Sequence, residues 1–181
     1  GLSSLGIDLA GKIREGAEEG RAVARMTDLG HGQALRELFR DTTPDGPVPT
    51  GLVRAVVEVL GDWRPQVDAI VVVESERRAA LTADLADGLS RYLRKPVLGR
   101  YAIVDPDVAP GQGAMNSAQR VAAVGRRFSL SLDDGPASVA GLSVLLVDDQ
   151  VVTGWTLTRA AAALRQSGAD AVLPLVLATQ T

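Results

Sequence analysis

The apolar residues of this chain fall into two rhythms that alternate along its length. In GQALRELFR (32–40), Leu35, Leu38 and Phe39 lie three and four apart, the spacing of one helix face. The same spacing places Leu52, Val56, Val59 and Leu60 on the inner side of a helix over 51–60, with Thr50 as its N-cap. Leu81, Leu85, Leu89 and Leu93, at intervals of four, predict a long helix over 76–94. A further helix runs over roughly 155–167, with Gly168 as its stop. Between these segments PVLGRYAIV (96–104) and AVLPLVLA (171–178) read as strands, and VDAIVVV (67–73) and SVLLV (143–147) are short apolar runs. Such runs predict strands covered on both faces. Pro174 has no N–H to donate, which predicts an edge position or a local break in the last strand. Residues 14–28 and 117–128 read as two more helices, residues 1–13 as a loose start or a linker, and DTTPDGPVP (41–49) and DPDVAPGQGAMN (105–116) as loops.

Helical segments alternating with buried strands predict an α/β fold, a mostly parallel sheet flanked by helices. The expected division is an N-terminal linker and helical cap over 1–63 and the α/β domain over 64–181. Ligands of such sheets bind beyond the carboxyl ends of the strands. The loops after residues 73, 104 and 147 are therefore expected to converge on one crevice.

Composition then removes several chemistries. The chain is 46% hydrophobic but 3% aromatic, so its core must be built from Ala, Val and Leu. With no cysteine it has no disulfide, no thiol nucleophile and no structural zinc site, and the single histidine, His31, cannot form a histidine metal site by itself. No stretch approaches 18 uncharged apolar residues and no basic region precedes an apolar run at the start, which predicts a cytoplasmic chain without a membrane partner. The formal net charge is −3, and the 17 arginines are scattered, a poor footprint for DNA binding by this region alone.

One stretch carries specific chemistry. In VLLVDDQVVTGWT (144–156) a buried strand ends in two adjacent carboxylates, Asp148 and Asp149, and a turn of small residues then opens a helix. Backbone N–H groups and the helix dipole at such a turn suit a phosphate. Paired carboxylates suit sugar hydroxyls or a hydrated magnesium ion. Together they describe a site for a phosphorylated ribose.

This stretch resembles the phosphoribosyl pyrophosphate motif of type I phosphoribosyltransferases. The resemblance implies that Asp148 and Asp149 hold the ribose hydroxyls, and that Thr153, Gly154, Trp155 and Thr156, with Thr158 close by, wrap the 5′-phosphate. It also implies pyrophosphate binding by the loop after the first strand of the α/β domain, here Ser75, Glu76, Arg77 and Arg78. Magnesium would arrive with the pyrophosphate, touching Asp148 and Asp149 at most indirectly. Two departures stand out: Gln150 occupies a usually aliphatic position, and Val152 stands where some members carry an acidic general base. In the same loop, Glu74 and Glu76 oppose a pyrophosphate by like charge.

A second resemblance covers most of residues 20–180. ARMTDLGHGQALREL (24–38), PVPTGLVRAVVEVLGDW (47–63), GQGAMNSAQR (111–120) and the run from 144 to 178 are similar to the C-terminal region of actinobacterial RecQ-type ATP-dependent DNA helicases. Asn116, Arg120 and the following RRF also echo ComF-type phosphoribosyltransferases, although Ser117 reads equally well as a simple N-cap. The implied parent carries a motor upstream and works in DNA repair. The present sequence has neither a GxxxxGK[ST] phosphate loop nor an Asp-Glu-x-His run, so ATP hydrolysis and strong DNA contact would belong to the parent.

Three functions follow. One is a domain that binds phosphoribosyl pyrophosphate, a ribose phosphate or a nucleotide in a regulatory or docking role. Another is an active phosphoribosyltransferase, displacing pyrophosphate with a nitrogen nucleophile, its catalytic residues unassigned. The last is a ligand-free module that binds a protein partner.

Overall fold

A computed structural model describes residues 6–9, 16–104 and 128–180. Among them is one seven-stranded sheet in the order β1-β2-β7-β6-β3-β4-β5. Its strands are β1 (Ile7–Asp8), β2 (Arg21–Arg25), β3 (Ala69–Val73), β4 (Val97–Ile103), β5 (Phe128–Leu132), β6 (Ser143–Val151) and β7 (Ala171–Thr179). The five inner strands are parallel, and β1 and β5 close the edges antiparallel. Helices α1 (His31–Leu38), α2 (Thr50–Trp63) and α3 (Ala79–Leu93) cover one face, where Leu35, Leu52 and Leu81 meet Ile70, Leu145 and Leu177. Helix α4 (Trp155–Gln166) covers the other with Leu157, Ala160 and Leu164, against Val71, Leu146 and Val176. No helix among the described residues is long and apolar enough to cross a membrane.

The unbroken apolar runs behave as their composition requires. β3 and the first part of β6 lie inside the sheet with helices on both sides, so each residue meets protein whichever way it points. The helical faces also sit as the spacing demands: Leu52, Val56, Val59, Leu60, Leu81, Leu85 and Leu89 are buried, and Leu93 packs against the same core. Gly168 terminates α4 with φ 100°, a conformation costly to any residue with a Cβ.

Several local expectations are overturned. The alanine-rich segment within 14–28 is not helical over its described part: Arg21–Arg25 is strand β2, paired in parallel with β7. Ala, Glu and Arg favour helices only weakly, and burying Ala22, Val23 and Ala24 inside a sheet outweighs that preference. The described residues of 1–63 thus contribute two helices and two sheet strands. Thr50 is not the N-cap of α2. It is the first helical residue, and Pro49, with no side-chain hydrogen bond, holds the cap position.

Pro174 lies on an inner strand, β7, not at an edge. Val172, two residues earlier, accepts a hydrogen bond from the Glu18 amide, so alternation points the missing donor of Pro174 to the same side, before β2 begins. Gly20 makes room there, since a Cβ would lie 2.4 Å from the Pro174 carbonyl oxygen. Phe128, expected at the end of a helix, instead opens strand β5, whose FSLSL alternation no helix would share. The remainder of the expected helix over 117–128, the loop 105–116 and the ComF-like residues Asn116, Ser117 and Arg120 lie outside the described residues.

The topology creates one gap. From β3 the chain crosses through α3 outward to β4, and from β6 it crosses through α4 in the opposite direction to β7. The two crossovers therefore lie on opposite faces, and the carboxyl ends of β3 and β6 part between them.

Candidate functional site

At this parting β6 outruns β3. Their last shared pair is Val72 with Val147, whereas β6 continues through Val151 along β7. Asp148 and Asp149 are therefore strand residues rather than a feature beyond the strand end, and they have no paired residue in β3. Successive strand side chains point to opposite faces, so Asp148 continues the Val144–Leu146 side and Asp149 the Leu145–Val147 side. Both line one crevice of about 280 Å³, together with Glu74, Gln150 and Thr156.

Both carboxylates are largely out of solvent, at 7% and 8% exposure. Each accepts a hydrogen bond from the next backbone amide: Asp149 N to Asp148 Oδ1 at 2.7 Å, and Gln150 N to Asp149 Oδ1 at 2.7 Å. Burial pushes the Asp148 carboxyl well above the usual carboxylate range, and the neighbouring Asp149 charge and hydrogen bond add to it, against the lowering effect of the Asp149 amide. Two adjacent carboxylates offer several acceptor positions side by side. That matches a vicinal diol, whose hydroxyls each donate and accept.

The turn after β6 is shaped by Gly154, in the left-handed region with φ 84° and at the N-cap of α4. A glycine has no side chain to cap the helix, and α4 has no acidic residue in its first turn. The helix thus presents its positive end without a carboxylate of its own. Of the expected phosphate-binding residues, Thr156 lines the crevice, Gly154 makes the turn, Thr153 is exposed, Trp155 is half-buried and Thr158 is buried in the following turn. The Thr153 hydroxyl accepts a long 3.5 Å bond from the Trp155 amide.

The loop after β3 has a different character. Ser75, Glu76, Arg77 and Arg78 all line the crevice, as expected of that loop. Arg78, however, is 6% exposed, and its guanidinium donates to the carbonyls of Arg40 at 2.7 Å and Thr43 at 2.9 Å, above the Phe39 ring at 5.8 Å. Arg77 forms an ion pair with Asp41 at 2.8 Å. The Asp45 carboxylate accepts from the amides of Ala80 and Leu81 at the start of α3, a helix cap delivered by the loop 41–49. The Asp84 carboxylate accepts from the Val48 amide.

Two crevice residues escaped sequence reasoning. Phe39 belongs by spacing to a helix face and Phe128 to an expected helix end, yet both line this crevice. They are the only two phenylalanines in the chain, and their rarity is the one signal that could have singled them out. Phe128 stacks on Tyr101 with ring centroids 5.1 Å apart and planes 6° from parallel. Among the described residues no group of three acidic or histidine side chains could hold a metal ion.

No protein-family model and no curated protein matches the chain. Among solved structures, a purine phosphoribosyltransferase from Pyrococcus horikoshii Ot3 is similar over 71% of this chain and 70% of its own, at 19% identity and a TM-score of 0.45. The glutamine phosphoribosylpyrophosphate amidotransferase from B. subtilis, complexed with ADP and GMP, is similar over 62% of this chain at 25% identity and a TM-score of 0.42. UMP synthase from Leishmania donovani is similar over 70% of this chain at 22% identity and a TM-score of 0.36. The matched part covers 22% and 21% of the last two proteins. None of these three likenesses reaches a TM-score of 0.5, and the site is assigned from its own residues.

Proposed function

We propose that this chain is a phosphoribosyltransferase-like domain that binds a phosphorylated ribose at the parting of β3 and β6. The observation that carries the reading is the buried Asp148–Asp149 pair, facing a crevice that the first turn of a helix without an acidic cap also lines. Asp148 and Asp149 take the ribose hydroxyls, and the 153–156 turn takes the 5′-phosphate through backbone N–H groups and the Thr156 hydroxyl. A magnesium ion fits only as a companion of the bound ligand, held mainly by ligand oxygens, because the described residues offer no metal cluster of their own.

Binding is favoured over transfer. Val152, at the position of the acidic base in some transferases, is 65% exposed and has no proton to move. The wider assignment, also a proposal, is a ligand-responsive or docking domain behind the motor of a RecQ-type helicase, supported by the resemblance across residues 20–180. DNA contact would then belong to the parent.

The test is calorimetric titration of ribose 5-phosphate into the purified chain and into the Asp148→Asn/Asp149→Asn variant. The expected result is binding by the parent chain that weakens at least about a hundredfold in the variant, whose circular dichroism is unchanged. Equal affinity in both proteins would move the site elsewhere.

A further inference from the structure

We infer that Gln150 is a specificity-determining residue of the crevice: its carboxamide, turned by Gln180, donates to the oxygen of the sugar's 3-hydroxyl. The inference rests on the ribose-phosphate reading of the same site and deepens it.

Gln150 stands on the Asp148 side of β6, because strand side chains alternate, and it lies two residues nearer to the 153–156 turn. It lines the same crevice as Asp148, Asp149 and Thr156. Its paired residue in β7 is Ala178, whose side chain offers the carboxamide no polar partner. The partner comes instead from beyond that pairing: Gln180 Nε2 donates to Gln150 Oε1 at 3.2 Å. The Gln180 backbone is itself tied to β6, its amide donating to the Val151 carbonyl at 3.1 Å. The carboxamide oxygen of Gln150 is thereby occupied. Among the described residues its Nε2 donates to no acceptor of the chain, so the donor end is the one that can serve a ligand.

A sugar hydroxyl both donates and accepts. Asp148 and Asp149 supply acceptors, and a hydroxyl held by them still needs a donor for its own oxygen. Gln150 is the next polar side chain on the Asp148 side of the strand. The order along β6 is the carboxylate pair, then Gln150, then the phosphate turn. The order along the ligand is the 2-hydroxyl, the 3-hydroxyl, then the arm to the 5-phosphate. The 3-oxygen is therefore the one that Gln150 meets. A site built to hydrogen-bond a hydroxyl rejects the analogue that lacks it, because its own polar groups are then left unpaired.

The experiment titrates ribose 5-phosphate, 2-deoxyribose 5-phosphate and 3-deoxyribose 5-phosphate by calorimetry into the purified chain and into the Gln150→Met variant, which keeps the side-chain length and removes the donor. The expected result is that the parent chain prefers ribose 5-phosphate to the 3-deoxy sugar, and that the variant loses about tenfold of this preference. The preference over the 2-deoxy sugar should be unchanged. Gln180→Leu, an exposed substitution outside the crevice lining, should lose part of the same 3-deoxy preference, the mark of a positioning residue. Should Gln150→Met fail to fold, this second variant carries the test. An unchanged preference in Gln150→Met, or an equal loss of affinity for all three sugars, overturns the inference while the ribose-phosphate reading stands. An unchanged preference in Gln180→Leu overturns the part given to Gln180. Failure of all three sugars to bind the parent chain overturns the inference and the ribose-phosphate reading together.

Discussion

Two loops leave adjacent parallel strands at the same end of the sheet, and they have opposite uses. The loop after β3 buries one cation, Arg78, and holds the exposed Arg77 to Asp41 at the surface. Arg78 fastens the segment 40–43, Asp45 returns from that segment to cap α3, and Ser75 closes the turn on itself. The loop after β6 is more open: Thr153 and Val152 are exposed, the Thr153 hydroxyl accepts a long bond from the Trp155 amide, and the first turn of α4 has no acidic residue. Being at the carboxyl end of a strand is therefore not enough to make a binding loop. What matters is how deeply a loop's charged groups are buried against acceptors of the chain, because a group that must first break a buried hydrogen bond binds a ligand at a large cost.

The largest expected effect tests the inward loop. Arg78→Ala removes the donor for two carbonyls and a cation above Phe39, and is expected to lower stability by about 2–3 kcal/mol in urea unfolding. If its effect fell on ligand affinity with stability unchanged, the two loops would have to be regarded as alike. Next in size is Gly154→Val. A β-branched residue at φ 84° should cost about 1–2 kcal/mol of stability, and it should weaken ribose 5-phosphate binding at least about tenfold, because the turn that aims the N–H groups no longer forms. A variant that loses stability but binds normally would separate the turn from the phosphate.

The smallest effect sharpens the comparison within the β6 strand. Asp148 holds its proton more tightly in the fold than in the unfolded chain, where an aspartate titrates near about 3.9. As pH rises above that value towards the raised folded value, the unfolded chain loses its proton first, so the native state binds more protons and stability falls. Asp148→Asn has no such proton. Its urea midpoint should decline less with rising pH across that window than that of the parent, and it should exceed the parent's above the window. Matching pH profiles would remove Asp148 as the source of this cost. A gain in stability with a loss of binding would identify the carboxylate as retained for its ligand.

Much of the fold is legible from local pattern. The apolar runs of β3 and β6 and the four-residue leucine spacing of α3 need no tertiary knowledge, because full burial and a one-sided helix each leave a distinct periodicity. β2 shows where that reading stops. Arg-Ala-Val-Ala-Arg has helix-forming residues and no long apolar run, and only a vacant position beside β7 makes it a strand. β5 is hidden for a different reason: its alternation is short, and it follows directly on a segment with helical composition. The site divides in the same way. The Asp148–Asp149 pair and the Gly154 turn are contiguous in the chain, so the sequence carries them whole. The contributions of Phe39 and Phe128 come from residues far apart in the chain, and no local pattern joins them.

By itself, then, the sequence determined the α/β alternation, the helix faces and the carboxylate-turn motif, since each depends on neighbours within one or two turns of chain. Tertiary structure alone decided that Arg78 faces inward to the carbonyls of Arg40 and Thr43, and that Arg77 meets Asp41 at the surface. The physical reason is that a cation's role depends on which acceptors surround it. For Arg78 those acceptors lie more than thirty residues away in the chain and come near only when α1, α2 and α3 pack on one face of the sheet.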